Sequence, residues 1–325
     1  MTYQEKSAQS APSVVRQIEG ERLRSRAVWL YYAEGLKQSD IATNLGITRV
    51  TVVRLLAEAR RRNEVRITIR SPLTELANTE LELRERYNVD EVILAPVPAP
   101  GEDPTKPIAA AAGAWITAAL TDGMRVGVGW GRTMHTALPF IESRTLENLK
   151  VISLMGGIAA ARRFNPAEFA WRFAETFQGE GYLIPAPALV DGPETKHALL
   201  ERCGLASIFE MADNLDLAIL SAGGISQLTT SYRTGHLTEA ERCSLSEAGA
   251  VGDVLYNFID SEGRIVDHPI NTRALSVDLK RLRSARQRLL VSGGREKHTV
   301  MRAAIKALEP TILITDEETG QALCK

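Results

Sequence analysis

Six largely apolar runs of four or five residues constrain the fold beyond Val89 more than any other feature of the sequence. They are Val92–Ala95, Arg125–Gly129, Val151–Met155, Leu217–Ser221, Leu289–Ser292 and Thr311–Thr315. Helical stretches separate several of them, such as Pro107–Leu120 and Lys297–Leu308. Unbroken apolar strands that alternate with helices are typical of a mostly parallel sheet covered on both faces. We therefore predict an α/β fold for this part of the chain.

The composition agrees with a globular protein: 44% of the 325 residues are apolar and 24% are charged, both near average. This length suggests about two domains. No apolar window reaches the roughly 18 residues of a membrane span, and the start MTYQEKSAQSAPSVV lacks the pattern of a secretory signal. The three cysteines, Cys203, Cys243 and Cys324, lack C-x-x-C spacing. We expect a cytoplasmic protein with no disulfide framework, no zinc site and no membrane partner.

Charge divides the chain into a basic and an acidic part. Residues 1–70 contain 13 Lys+Arg and 7 Asp+Glu, whereas residues 71–325 contain 26 Lys+Arg and 33 Asp+Glu. Basic clusters attract polyanions, although ordinary surface charge would explain the same numbers. The pattern inside the basic part decides between these interpretations.

The segment QSDIATNLGITRVTVVRL, from Gln38 to Leu55, has the spacing of a helix-turn-helix. Ala42 is small where two helices must touch, Gly46 accepts a positive φ in the turn, and Thr48 suits the cap of the second helix. We predict helices at Gln38–Leu45 and Thr48–Arg62, preceded by a helix from Glu21 to Ala33 and a loose tail over 1–19. The predicted inward residues are Ile41, Leu45, Ile47, Val52 and Leu55.

The outward residues of the second helix predict contact with double-stranded DNA. Arg49, Val50, Val53 and Arg54 lie at its exposed start, which is the part that enters the major groove. Arginine can pair with guanine, and valine can touch a thymine methyl. The residues suited to phosphate contacts are Gln38, Thr48, Arg60, Arg61 and Arg62. The alternative is an incidental helical hairpin with solvated arginines.

A glycine-rich loop in the larger part predicts an anion site. In VGVGWGRTMHTAL, a strand leads into Gly129–Thr133 and a helix follows, so that backbone N–H groups, Arg132 and Thr133 can meet an anion. The glycine spacing is neither the dinucleotide fingerprint nor a Walker loop. A plain turn between strand and helix is the alternative.

Two later segments carry further candidate ligand groups. Lys297 follows Gly293-Gly294 at a helix start and suits a sugar phosphate, whereas Asp253 in GAVGD suits sugar hydroxyls. Loops at the carboxyl ends of parallel strands are where such sheets bind ligands. Alternatively, Lys297 is a solvated lysine and Asp253 caps a turn. The histidines show no metal-ligand spacing, so we expect neither a metal nor a cofactor.

A candidate linker helix, Leu73–Tyr87, lies between the basic and acidic parts. It either pairs with its copy in a dimer or packs on its own domain. Arg66–Arg70, which alternates, suggests a short strand just before it. We therefore expect a DNA-binding domain at 1–70, a linker helix at 71–88 and an effector domain at 89–325.

The whole chain resembles the SorC/DeoR-type sugar-binding transcriptional regulators of bacteria. The matching stretches are DIATNLGITRVTVVRLLAEAR, VGVGWGRTMHTAL, GAVGDVLYNFIDSEG, VSGGREKHTVMRAAI and LITDEETG. The resemblance implies a Rossmann-like effector domain, a homodimer or tetramer, and release of operator DNA when a phosphorylated sugar binds. It also implies roles for seven residues: phosphate binding by Gly131, Arg132, Thr133 and Lys297, a pocket wall at Gly156 and Gly157, and hydroxyl binding by Asp253.

Two departures from the family pattern qualify the resemblance. Asn63-Glu64 stands where the family often has a glycine, and Tyr256-Asn257 is bulkier than the glycine often found there. The second departure indicates a ligand other than the usual hexose or pentose phosphates. The stretches MGGIAAARRFNPAEFAWRF and LIPAPALVDGPETKHALL resemble a sub-branch that includes regulators of erythritol catabolism.

Two functions are compatible with this reading. The first is a regulator, by expectation a repressor of a carbohydrate or polyol operon, controlled by a small sugar ligand. The second is an enzyme resembling sugar-phosphate isomerases with an added DNA-binding module. Proton transfer needs a carboxylate or histidine. Ser221–Thr230 corresponds to the segment in which ribose-phosphate isomerases carry a carboxylate-rich loop, and it contains neither residue type. We therefore predict that the chain has no catalytic residues.

Overall fold

The computed structural model describes residues 11–62, 64–65, 74–97, 99–158, 165–227, 229, 232 and 237–325. The chain divides between Ser71 and Pro72 into two compact units. In the described part, no helix combines the length and apolarity that crossing a bilayer requires. The predicted strand at 66–70 lies outside the described residues.

The described residues of the first unit form three helices, α1 (Ala11–Tyr32), α2 (Gln38–Leu45) and α3 (Arg49–Arg61). The predicted loose tail over 1–19 is wrong from Ala11 onward, because α1 begins there. Pro12 is tolerated in the first turn, where its missing N–H costs no hydrogen bond. The three helices bury one apolar cluster around Ala27, Ile41 and Val52.

The second unit alternates helices and strands. Its helices are α4 (Thr74–Tyr87), α5 (Thr105–Ala119), α6 (Arg132–Ala137), α7 (Pro166–Thr176), α8 (Pro193–Arg202), α9 (Ala206–Met211), α10 (Glu239–Glu247), α11 (Pro269–Arg273), α12 (Leu279–Leu282), α13 (His298–Leu308) and α14 (Glu317–Cys324). Its strands are β1 (Glu91–Ala95), β2 (Arg125–Val128), β3 (Lys150–Ser153), β4 (Glu180–Tyr182), β5 (Leu217–Leu220), β6 (Gly223–Gly224), β7 (Gly252–Val254), β8 (Asn257–Ile259), β9 (Gln287–Val291) and β10 (Ile312–Asp316).

Seven strands form one sheet in the order β1-β10-β9-β5-β2-β3-β4, and every pair is parallel. Successive side chains of a strand point to opposite faces. Leu217 and Ile219 of β5 accordingly join one apolar cluster, whereas Ala218 and Leu220 join another. Both faces are therefore covered, which confirms the predicted α/β fold and explains why all six apolar runs became strands.

A smaller antiparallel sheet, β6-β7-β8, is also present. Strands β7 and β8 form a hairpin in which Val254 pairs with Asn257. The two residues between them, Leu255 and Tyr256, both have left-handed backbone conformations, with φ of 55° and 59°.

Helix α4 packs on the rest of the second unit, to which it belongs. Leu83 is fully buried in that unit's core, and the helix contacts β1 and α14. The hydroxyl of Tyr87 donates a hydrogen bond of 2.9 Å to the carbonyl of Leu323. The helix therefore packs on its own domain, which is one of the two arrangements predicted for it. Leu81 remains half exposed on the opposite side.

Candidate functional site

The turn between α2 and α3 has the geometry of a helix-turn-helix. Gly46 ends α2 in the left-handed region, with φ 63° and ψ 31°, where glycine meets no Cβ penalty. The Ile47 N–H donates to the Ala42 carbonyl at 3.0 Å. Thr48 caps α3 by accepting the Thr51 N–H at 3.2 Å. The turn and the cap together set the direction in which α3 leaves α2.

The inward face of this motif differs in part from the expected set. Ile41 and Val52 are fully buried, and Leu56, which was not in that set, is fully buried too. The remaining three predicted residues, Leu45, Ile47 and Leu55, are only partly buried. Leu56 follows Val52 by four positions and therefore lies on the same helical stripe.

The start of α3 presents a mixed basic and apolar face to solvent. Val50 is 78% exposed and Val53 is 44% exposed, and Arg49 and Arg54 are exposed beside them. Burying these valines against a partner would remove apolar surface from water and so favour binding. They are suited to the apolar methyl groups of a major groove, next to arginines that can reach base edges.

A concave surface lies beside this face, at the start of α2. Its volume is about 700 Å³, and its lining includes Tyr31, Lys37, Gln38, Ser39 and Arg49. These residues surround a helix N-terminus, whose free N–H groups attract anions. Gln38, which we predict to contact phosphate, thus lies beside two further hydrogen-bond donors, Lys37 and Ser39.

The arginines that end α3 are not equivalent. Arg61 donates to both carboxylate oxygens of Glu58, with Nη2 at 2.6 and 2.7 Å, and Arg62 donates to Glu58 at 2.5 Å. Hydrogen bonds from Arg61 and Arg62 lower the pKa of Glu58 to about 2. Arg60 is exposed, and its Nε lies 3.4 Å from the Leu56 carbonyl oxygen. Arg60 is therefore the member of this group whose charge is not already offset by Glu58.

In the second unit, the glycine-rich loop connects β2 to α6. Gly131 precedes α6 with φ 132°, and Thr133 is buried in the first turn of that helix. Arg132 forms an ion pair with Asp103, Nη1 to Oδ2 at 3.1 Å. Asp103 also accepts the Thr105 N–H at 3.0 Å. Arg132 is therefore held near the start of both α5 and α6.

Lys297 is half-buried and points back toward the end of β9. Its Nζ donates to the Ser292 hydroxyl at 3.1 Å. Burial lowers the pKa of Lys297, while the carboxylates of Glu296, Asp253 and Asp103 oppose that effect. Arg132 also acts electrostatically on Lys297. The alternative of a solvated first-turn lysine is therefore wrong.

Asp253 is buried in the hairpin of β7 and β8. Its Oδ2 accepts the Tyr256 N–H at 2.9 Å, so it caps the turn, as one of the two interpretations holds. Burial raises the pKa of Asp253 to about 7, although Tyr256 and Lys297 lower it. A carboxyl with this pKa can both donate and accept a hydrogen bond near neutral pH.

The glycine pair after β3 serves close backbone packing. A Cβ on Gly156 would lie 2.5 Å from the Ala186 carbonyl oxygen, so only glycine fits. The Gly156 N–H donates to Leu275, and the Gly157 N–H donates to Ala186, both at 2.8 Å. The structure thus associates Arg132, Asp253 and Lys297 electrostatically, whereas Gly156 and Gly157 make backbone contacts at the same edge of the sheet.

The contacts of three neighbours of the candidate site, Asp103, Ser292 and Tyr256, have no local signal in the sequence. Asp103 is 29 positions from its partner Arg132, and Ser292, at the end of a predicted strand, accepts the hydrogen bond from Lys297. The sequence marks Tyr256 by its bulk, but only the structure shows its left-handed backbone and its buried hydroxyl, which is unpaired within the described part of the chain. Among the described residues, no cluster of three or more His, Cys, Asp or Glu has the arrangement of a metal site.

Comparison with known proteins places the chain in a family. Residues 71–325 match the family model described as "Putative sugar-binding domain". The deoxyribonucleoside regulator of Bacillus subtilis is 30% identical over 308 residues, which cover 94% of this chain and 98% of that protein. The chain belongs to the SorC/DeoR-type family of sugar-binding transcriptional regulators. The SorC/DeoR relatives include the erythritol catabolism regulatory protein EryD of Brucella abortus, which is 27% identical over 93% of this chain and 96% of that protein.

A solved SorC/DeoR structure shares the fold. The full-length sorbitol operon regulator SorC of Klebsiella pneumoniae superposes with a TM-score of 0.70 at 24% identity, covering 94% of this chain and 99% of that one. Within the SorC/DeoR family, the predicted erythritol sub-branch stays a prediction, because the deoxyribonucleoside regulator shares the higher identity of the two.

Proposed function

We propose that this protein is a DNA-binding regulator, acting as a repressor, of a carbohydrate or polyol catabolic operon. A sugar or sugar phosphate controls its DNA affinity. One observation carries the proposal: a single chain combines an exposed arginine and valine face on α3 with a group formed by the half-buried Lys297, Arg132 and the buried carboxyl of Asp253. The names of the deoxyribonucleoside, erythritol and sorbitol regulators among its relatives support it.

On the DNA side, Arg49 and Arg54 would read base edges, and Val50 and Val53 would contact thymine methyl groups. Phosphate contacts would position the helix without specifying sequence. We assign them to Gln38, Thr48, Arg60 and Arg61. Of the two arginines, Arg60 contributes without rearrangement, since Arg61 must first leave Glu58.

On the effector side, Arg132 and Lys297 supply positive charge for an anionic group, with Gly131 and Thr133 adding backbone and hydroxyl donors. Asp253 would bind a hydroxyl of the effector's carbon chain, and Gly156 and Gly157 would form one wall. An effector with a phosphate and several hydroxyls fits this chemistry, because cations and buried acceptors are both present.

Control of DNA binding would follow from differential affinity. An effector shifts the protein toward whichever conformation binds the effector more tightly, and DNA affinity changes only by that difference. We propose segments 1–70 for DNA, 71–88 for the linker and 89–325 for the effector, in a homodimer or tetramer. Operator half-sites require a defined spacing of recognition helices, so a change in the linker would alter operator affinity.

We further propose that the protein acts in the cytoplasm, without a cofactor, and that it is not an enzyme. The curated relatives are named as regulators, and Ser221–Thr230 contains no acid or histidine for proton transfer. Incubating the protein with pentose and tetrose phosphates, and measuring substrate loss, tests this point. Consumption of any of them would favour the enzyme.

The function is tested by fluorescence anisotropy with labelled promoter fragments from the protein's own locus at low ionic strength. We expect saturable binding to at least one fragment and a change in affinity with a sugar phosphate or polyol. A scrambled fragment of equal length is the control. Equal affinity for promoter and scrambled DNA would contradict the assignment as a specific regulator.

A further inference from the structure

The turn between β7 and β8 has an unfavourable backbone for the residues it contains. A two-residue hairpin turn with positive φ at both positions is normally formed by asparagine, aspartate or glycine. Here the residues are Leu255 and Tyr256, with φ of 55° and 59°. Side chains with a Cβ are disfavoured in this region. Neither residue is therefore explained by the needs of the turn.

The environment of the Tyr256 hydroxyl group is unfavourable as well. The side chain is fully buried, and its hydroxyl has no hydrogen-bond partner among the described residues. Removing a hydroxyl from water without a new partner lowers stability. Phenylalanine would fill nearly the same space without that cost, so packing alone does not explain the tyrosine.

The turn lies in the candidate effector site. The Tyr256 ring is 5.5 Å from the Trp130 ring, between centroids, and Trp130 belongs to the glycine-rich loop. A Cβ built on Gly129 of the same loop would lie 3.1 Å from Leu255. The Tyr256 N–H donates to Asp253, whose charge acts on Lys297. Tyr256 therefore contacts both the loop and the carboxyl to which we assign ligand binding.

We propose that Tyr256 is a specificity-determining residue of this site, whose hydroxyl forms a hydrogen bond with a hydroxyl group of the effector. Strained backbone and unsatisfied polar groups persist where function requires them. This assignment rests on the proposed function. It adds that the effector carries a hydroxylated carbon chain which reaches the Asp253–Tyr256 turn, while its anionic group faces Arg132 and Lys297.

The test compares wild type with Tyr256→Phe, and Tyr182→Phe is the matched control. Tyr182 donates its hydroxyl to Glu180 at 2.7 Å in an exposed pair. The probes are D-erythrose 4-phosphate, D-ribose 5-phosphate, sorbitol 6-phosphate and inorganic phosphate. Melting temperatures without ligand, and affinities by calorimetry, are measured for all three proteins.

We expect Tyr256→Phe to melt at or above the wild-type temperature, because it removes a buried unpaired hydroxyl. We expect it to bind the sugar phosphate recognised by wild type about tenfold more weakly, which is the loss of one hydrogen bond. Its affinity for inorganic phosphate should stay within about twofold of wild type. Tyr182→Phe should bind every probe as wild type does.

Results that would contradict the role of Tyr256 can be distinguished from a result that would contradict the proposed effector class. Wild-type affinity of Tyr256→Phe for the recognised sugar phosphate would overturn the inference and leave the proposed function intact. A lower melting temperature with equal losses for sugar phosphate and inorganic phosphate would also overturn it, because the hydroxyl would then be structural. If wild type bound none of the sugar phosphates, the proposed effector class would fail, and this assignment with it.

Discussion

Arg24 and Glu64 form a two-point ion pair, with Nε to Oε2 and Nη2 to Oε1 both at 2.6 Å. The pair joins α1 to the residues that follow α3, and Arg24 is buried. The hydrogen bond from Arg24 holds the pKa of Glu64 below its ordinary value. The ion pair therefore ties the residues after α3 to α1 within the first unit.

We predict that Glu64→Gln destabilises the first unit by about 2 kcal/mol, because the buried guanidinium loses a charged partner. The carboxylate contributes stability above the pKa of an unfolded glutamate, about 4.3, and loses it as the pH falls through the lowered folded pKa. Urea unfolding of both proteins near neutral pH measures the difference. Equal stabilities would show that the ion pair contributes nothing.

We predict that Glu58→Gln strengthens DNA binding. The change releases Arg61 and Arg62 from their shared carboxylate, so that both can contact phosphates. Each added phosphate contact steepens the dependence of log affinity on log salt by about 0.9. Anisotropy titrations at several salt concentrations measure that slope. A slope identical to wild type would mean that these arginines lie away from DNA.

Alanine substitutions of Arg54 and Arg60 should have different effects on DNA recognition. We expect Arg54→Ala to weaken operator binding by about 1–3 kcal/mol and to relax the preference at one base position. Arg60→Ala should weaken binding to all sequences about equally, since phosphates carry no sequence information. Selection from a randomised DNA library measures both. An unchanged preference in Arg54→Ala would remove Arg54 from base recognition.

Asp253 should make stability fall with rising pH. Its folded pKa of about 7 exceeds the unfolded value of 3.8, so the folded protein holds this proton more tightly. The resulting stability is fully present below about pH 4 and is lost as the pH rises to about 7, an effect of up to about 4 kcal/mol. The measurement is the difference in unfolding free energy between wild type and Asp253→Asn across this range. A constant difference would contradict the raised pKa.

Local patterns predicted the architecture well, because strands and helices depend on neighbouring residues. The six apolar runs and the Gly46 turn are of this kind, and each has the expected conformation. The predicted inward set omits Leu56 because it follows the turn and not the helical stripe that begins at Val52. The start of α1 was missed because its polar residues show no periodicity.

The sequence predicts the partners of individual side chains less well than it predicts strands and helices. No local signal connects Asp103 to Arg132 or Arg24 to Glu64, because those contacts depend on how distant elements pack. The left-handed conformation of Leu255 and Tyr256 was unexpected for a similar reason: glycine and asparagine are the usual markers of such turns. The unusual backbone of Leu255 and Tyr256 lies in the candidate effector site. Such departures from local preference are expected where function competes with stability.

The most direct test is the affinity for a promoter fragment with and without the recognised sugar phosphate, in wild type and in Lys297→Ala. Because we assign Lys297 to the effector site and not to DNA contacts, both proteins should bind DNA equally well without effector. The sugar phosphate should change the wild-type affinity by about 5-fold to 150-fold and leave Lys297→Ala unaffected. A normal response in Lys297→Ala would contradict the site, and no response in wild type would contradict the coupling of metabolite to DNA.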